Sequence, residues 1–134
     1  MINIEFDVFD RIADYLREKY PGIFVTGDIS FSPAKFPAVS VVEINNSVVR
    51  GARSSSGIEN AALIAYEANV YSDKIGYNKM EAKEIASDVD SIFSDIGFTR
   101  TFCNPVQNLE DKNVYRIVAR YEAIVDKDLW IYHN

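Results

Sequence analysis

The stretch Asn113–Asp126, NVYRIVARYEAIVD, decides how this chain is read. Tyr115, Ile117, Ala119, Tyr121, Ala123 and Val125 recur with period two, the repeat of an extended strand that buries one face. On its other face Arg116, Arg120 and Glu122 interleave with Val114, Val118 and Ile124. That second face is neither cleanly polar nor cleanly apolar, which suits contact with another protein.

Working outward, Ala62–Ser72 shows the same alternation. Ile64, Tyr66, Ala68 and Val70 share one face, while Glu67 and Asn69 lie beside Leu63, Ala65 and Tyr71 on the other. Ala38–Asn46 reads as a strand, as do Ile23–Ile29, with a distortion expected at Gly27, and Phe98–Cys103. Phe31–Pro37 holds two prolines and reads as a loop or edge. Asn104–Lys112 reads as a turn-forming loop, and Leu129–Tyr132 either extends the closing strand or folds back.

Two segments change period. Within Phe6–Tyr20, Phe9, Ile12, Ala13, Leu16 and Tyr20 fall at helical spacing, and Pro21-Gly22 ends the helix. A second helix opens with Asn78 as N-cap and Glu81 as its capping-box partner. It carries Ile85, Val89, Ile92, Phe93 and Ile96 on one stripe and stops at Gly97. The order α-β-β-β-α-β-β predicts an α+β fold: a mostly antiparallel sheet of about five strands with two helices packed on one face. The 134 residues fit a single domain spanning 1–134, with no internal repeat or linker.

Asn46–Asn60, NSVVRGARSSSGIEN, departs from this texture. Six of its fifteen residues are Gly or Ser, and they surround Arg50 and Arg53. It reads as a mobile arm or hairpin tip, at about 46–60, that either stays solvated or orders against a partner. The flanking Val48, Val49 and Ile58 favour the partner. Interface candidates are therefore Val49, Arg50 and Arg53 in the arm, Arg116, Val118 and Arg120 on the closing strand, and Trp130 and Tyr132 in the aromatic tail.

Composition narrows the classes. A 48% hydrophobic content supports a core without a staple, and no apolar run approaches the ~20 residues of a membrane span. The N-terminus MINIEFDVFD is acidic where a secretory signal is basic, so synthesis in the cytoplasm is expected. A net charge of −6 argues against a binder that neutralises many phosphates, and therefore against specific nucleic-acid binding.

Catalytic chemistry is not visible. His133 is the only histidine and sits next to the C-terminus, where a side chain is more often frayed than held as a catalytic imidazole must be. Cys103, the only cysteine, lacks a neighbouring base in sequence and reads as a small, semi-buried thiol. Glu81, Glu84, Asp88 and Asp95 read as the solvated side of the second helix, without the tight loop of a calcium site. Ser54, Ser55, Ser56 and Gly57 lack phosphate-loop spacing and its lysine. The reading is a protein that is not an enzyme, with no cofactor and no metal.

Three phrases carry a family likeness: FPAVSVVEINN (Phe36–Asn46), YEANVYSDKIGYNKMEAKEIASDVDSIFSDIGF (Tyr66–Phe98) and VYRIVARYEAIVDKDLWIY (Val114–Tyr132). With the opening helix and the Pro21-Gly22 break, they resemble the tail-terminator or tail-completion proteins of long-tailed bacteriophages and prophages. The resemblance implies a small α/β subunit that assembles with itself as a ring, usually a hexamer, on the head-proximal end of the tail tube. Such a ring stops tube polymerisation and offers a surface to the head connector. Its partners would be the tail-tube and head-connector proteins. Its location would be the virion neck, after assembly in the host cytoplasm, with DNA passing through. The alternatives are another neck or head-completion subunit, or a cytosolic ligand-binding or regulatory α+β domain.

Overall fold

Helix α1 (Glu5–Lys19) forms because Val8, Ile12, Ala13 and Leu16 recur on one side and all four are buried. Each large side chain taken out of water there contributes about 1.5–3 kcal/mol. Glu5 and Asp7 in the first turn, and Arg17 and Lys19 in the last, complement the helix dipole. The buried stripe is centred on Val8 rather than Phe9, which is partly buried along with Tyr20. These elements come from a computed structural model that describes residues 1–28, 33–49, 60–107 and 113–133.

The strands are β1 (Phe24–Thr26), β2 (Ala38–Val48), β3 (Ala61–Ser72), β4 (Thr99–Gln107), β5 (Tyr115–Asp126) and β6 (Ile131–His133). They join in one sheet of order β1-β2-β3-β5-β4, and β6 also pairs with β5. All pairings are antiparallel except β1 with β2, which is parallel. The expected α+β architecture is the one observed, with the short β6 folding back onto Ala123–Val125 as one of the two expected courses of the tail. Helix α2 (Asn78–Asp95) lies between β3 and β4 in the chain.

Both helices pack on one side of the sheet. There Val39, Val41, Ile64, Tyr66, Ala68, Val70, Ile117, Ala119, Tyr121, Ala123 and Val125 meet α1 and α2 in one core. Its centre is aromatic: Phe93 stacks on Tyr121 at 4.2 Å between ring centroids, and Phe98 stands edge-on to Phe93 and Tyr66 at 5.5 Å each. Helix α2 ends as expected at Gly97, whose φ is +102°. Phe98 N–H donates to the Phe93 carbonyl and Gly97 N–H to that of Ser94, which closes the last turn.

Several expectations give way to tertiary partners. Asn78 is the first residue of α2, with Tyr77 in the cap position. Glu81 does not reach back to complete a capping box, because the Ser72 hydroxyl donates to its carboxylate at 2.7 Å. Asn78 instead donates its amide to the Asn113 carbonyl at 3.1 Å. The carboxylate row is not uniformly solvated: Glu81 and Asp88 are half-buried and bonded, whereas Glu84 and Asp95 are exposed. Lys19 and the Tyr20 hydroxyl both bind Asp88 and tie the helices together. Strand β4 continues through Pro105 to Gln107, where a loop was expected, because β5 offers it a ladder and an edge strand tolerates proline. Cys103 is exposed rather than semi-buried, because α2 leaves most of β4 uncovered.

The arm expected at 46–60 is β2 up to Val48 and β3 from Ala61. Arg50, Arg53 and Ile58 lie outside the described residues, as do 108–112.

Candidate functional site

The sheet face away from the helices carries the mixed side chains of β5. Cross-strand pairing fixes who stands beside whom: Tyr71, Arg116 and Val106 share one row, Asn69, Val118 and Asn104 the next, and Glu67, Arg120 and Phe102 the third. Within this block Arg116 donates from Nε and Nη2 to the Asn69 Oδ1, at 3.0 and 2.7 Å. The Asn69 amide donates to Glu67 at 3.1 Å, and the other Glu67 oxygen accepts from Arg120 Nε at 2.9 Å. Arg116, Asn69, Glu67 and Arg120 thus form one chain of hydrogen bonds across two strands. Val118 lies in its midst, 5% exposed.

Each arginine also lies over a ring, Arg116 over Tyr71 at 5.6 Å and Arg120 over Phe102 at 5.3 Å. The Arg120–Glu67 pair is half exposed on the arginine side, so it stabilises by about 0–1 kcal/mol only. With the Arg116–Asn69 bonds it fixes the position of both guanidinium groups over their rings. Among the described residues neither helix touches this face. One end is closed by a small apolar cluster, Ala38, Tyr71 and Val114 with Phe24 and Phe36 against it. The remainder stays open.

Three of the expected interface residues, Arg116, Val118 and Arg120, therefore come together. Phe102 and Val106 belong with them and were not read from the sequence. Their face is set by a bulge in β4, where the register shifts between Arg100 and Phe102. Residues two apart in a regular strand share a face. Here Arg100 pairs beside Tyr121 on the helical side, and Phe102 beside Arg120 on the outer side. No local pattern announces that shift.

The other candidates lie apart. Val49 is half-buried and donates its N–H to the Ala61 carbonyl at the described end of the β2–β3 hairpin. Trp130 is 69% exposed at the turn before β6. Asp126 holds that turn, its carboxylate accepting from the N–H of Asp128 and of Trp130 at 2.9 and 3.0 Å. Beside it a groove of about 390 Å³ runs between Ile4 just before α1, Val8 and Arg11 within it, and Ile96 and Ile131. Tyr132 is placed in β6 by its backbone pairing with Ile124, and its side chain lies outside the description.

Two carboxylates elsewhere, Asp88 and Asp90, are tied into structure. Asp90 accepts from Arg100 at 3.1 Å and from the Tyr121 hydroxyl at 3.0 Å. Burial, and then Asp90, push the Tyr121 phenol well above its ordinary range. Burial and the bond to Asp88 do the same to Tyr20. Among the described residues no cluster of three or more His, Cys, Asp or Glu side chains is placed to hold a metal ion. No helix among them is long and apolar enough to cross a membrane. No family model matches this chain, and no curated protein matches its sequence.

Proposed function

We propose that this chain is a structural subunit of a phage tail neck, a terminator that assembles as a ring on the tail tube and receives the head connector. The observation that carries the reading is the open outer face. It sets two arginines over aromatic rings, around a nearly covered valine, with no layer of the described chain against it. Arginine and aromatic side chains held in place before contact are what interface cores enrich, because little entropy remains to be lost on docking. The resemblance of the strand and helix text to tail-terminator proteins supplies the kind of assembly. The net charge of −6 suits a ring through which DNA passes without adhering.

The role needs no turnover, so its test is an assembly phenotype. Deleting the gene in its phage is expected to give tails of uncontrolled length that do not join heads. Supplying the protein in trans is expected to restore both length and joining. Tails of normal length joined normally in the deletion strain would overturn the proposal.

A further inference from the structure

Helix α2 packs mainly over β3 and β5 and leaves most of β4 uncovered, with a groove of about 280 Å³ lined in part by Lys83, Ala86, Ser87, Asp90, Cys103 and Pro105. Its middle is small and weakly polar. At one end Asp90 and Arg100 neutralise each other at 3.1 Å. At the other stands Lys83, with Lys79 one turn before it on the same flank of α2. The ion pairs among the described residues use Lys19, Lys74, Arg100 and Arg120 and leave Lys79 and Lys83 without a carboxylate. Among the described residues that end of the groove therefore carries two lysines outside any ion pair.

A complementary stripe lies on α1. Asp10 and Asp14 are likewise outside every ion pair among the described residues, and Phe6, one turn earlier, is 74% exposed. Phe6, Asp10 and Asp14 follow one another at four-residue steps, as do Ser87, Lys83 and Lys79 read backwards. Each step rises about 6 Å along a helix. Two such stripes match tooth for tooth when the helices run in opposite senses, as ridges of that spacing pack. Within one chain α1 and α2 already run so: Lys19 and Tyr20 at the end of α1 meet Asp88, while Ile4 and Val8 at its start lie beside Ile96.

We infer that the groove between α2 and β4 receives α1 of a second copy of this chain, with Phe6 filling it over Ser87 and with Asp10 and Asp14 pairing with Lys83 and Lys79. The groove flanks β4, at one margin of the sheet, and α1 lies toward the β1–β2 margin. The contact is therefore head-to-tail. Repetition of such a contact generates a ring if the rotation closes and a filament if it does not. The choice of a second copy rests on the ring reading proposed above, and it specifies which surfaces meet. The outer sheet face then remains available to the tube or the connector.

Cys103, the only cysteine, is exposed in this groove and serves as the reporter. The variant Phe6→Cys leaves the core untouched, and under mild oxidation its new thiol should form a disulfide with Cys103 of a neighbouring chain. On non-reducing gels that reads as a ladder of covalent oligomers, lost when Cys103→Ser is added. The pair Lys79→Glu and Lys83→Glu should weaken cross-linking by about tenfold or more, since like charges then oppose. Mixing in chains with Asp10→Lys and Asp14→Lys should restore it. Association by light scattering without the cross-link would overturn this contact and leave the ring reading standing. A ladder whose particles are open filaments, never closed, would uphold the contact and sink the ring. Absence of both at about 1 mM protein would overturn the contact, because even weak encounters are populated there.

Discussion

Glu43 and Tyr66 stand opposite each other on the helical side of β2 and β3, and each keeps a buried oxygen without a hydrogen-bond partner among the described residues. Burial, and then the nearby Glu5 carboxylate, hold the Glu43 carboxyl above its ordinary value of 4.5. Tyr66 is pushed up likewise, by burial first and then by Glu43 and Glu5. The sign of the effect on stability follows. Below 4.5 the carboxyl is protonated in both states and nothing is lost. As pH rises through the raised native value, the unfolded chain has already released a proton that the folded chain retains, so stability falls. Replacing Glu43 with Gln should remove that fall. In melts from about pH 4 to pH 8, the variant's Tm should gain on the parent's as pH rises. A difference that does not change with pH would assign the titration elsewhere. The bare alternation of Ala38–Asn46 places Glu43 with Val39 and Val41, but does not say that its oxygen ends up buried beside another carboxylate.

At the scale of elements, the end of α2 shows how one residue serves two neighbours. Gly97 sits at a φ of +102°, and a Cβ built there would meet the Ile131 Cγ2 at 2.9 Å. The helix stop was legible in the sequence because glycine alone adopts that backbone cheaply. The approach of β6 was not, since it depends on the tail folding back along β5. Gly97→Ala should therefore lower stability by about 1–3 kcal/mol, measured by denaturant unfolding. A cost of only a few tenths would mean that Ile131 yields freely. The start of α2 makes the opposite point. Asn78 and Glu81 have the right types at the right spacing for a capping box, yet Glu81 bonds to Ser72 instead. Asn78 donates to Asn113, while its oxygen accepts from the N–H of Lys79 rather than from that of Glu81. Local capping is a matter of about 1 kcal/mol, which a tertiary partner easily outweighs.

The whole molecule divides its labour between two sheet faces. One carries the core under α1 and α2, and the other carries the arginine row. Replacing Arg116 and Arg120 together by alanine removes bonds to Asn69 and Glu67 and two contacts with rings. The cost to folding should be about 1–3 kcal/mol, leaving a cooperative unfolding transition. On the proposed neck role, assembly on tail-tube subunits, followed by sedimentation, should be lost. Assembly that survives in this well-folded variant would move the docking surface away from the outer face.

What the sequence alone determined is whatever depends on period and punctuation: the two helices, the strands, their order, and the buried sides of α2, β3 and β5. Those signals are local, because a helix or strand announces its apolar side every few residues. Only the tertiary structure decided which strands lie at the margins, that β4 continues past Pro105, and that the β4 bulge sends Arg100 to Asp90 and Phe102 to Arg120. The groove beside Lys83 belongs to the same class. It exists because α2 covers β3 and β5 but leaves most of β4 uncovered, a fact of layer width that spacing along the chain does not carry. Such grooves form where elements end or fail to reach, and those distances are set by packing in three dimensions.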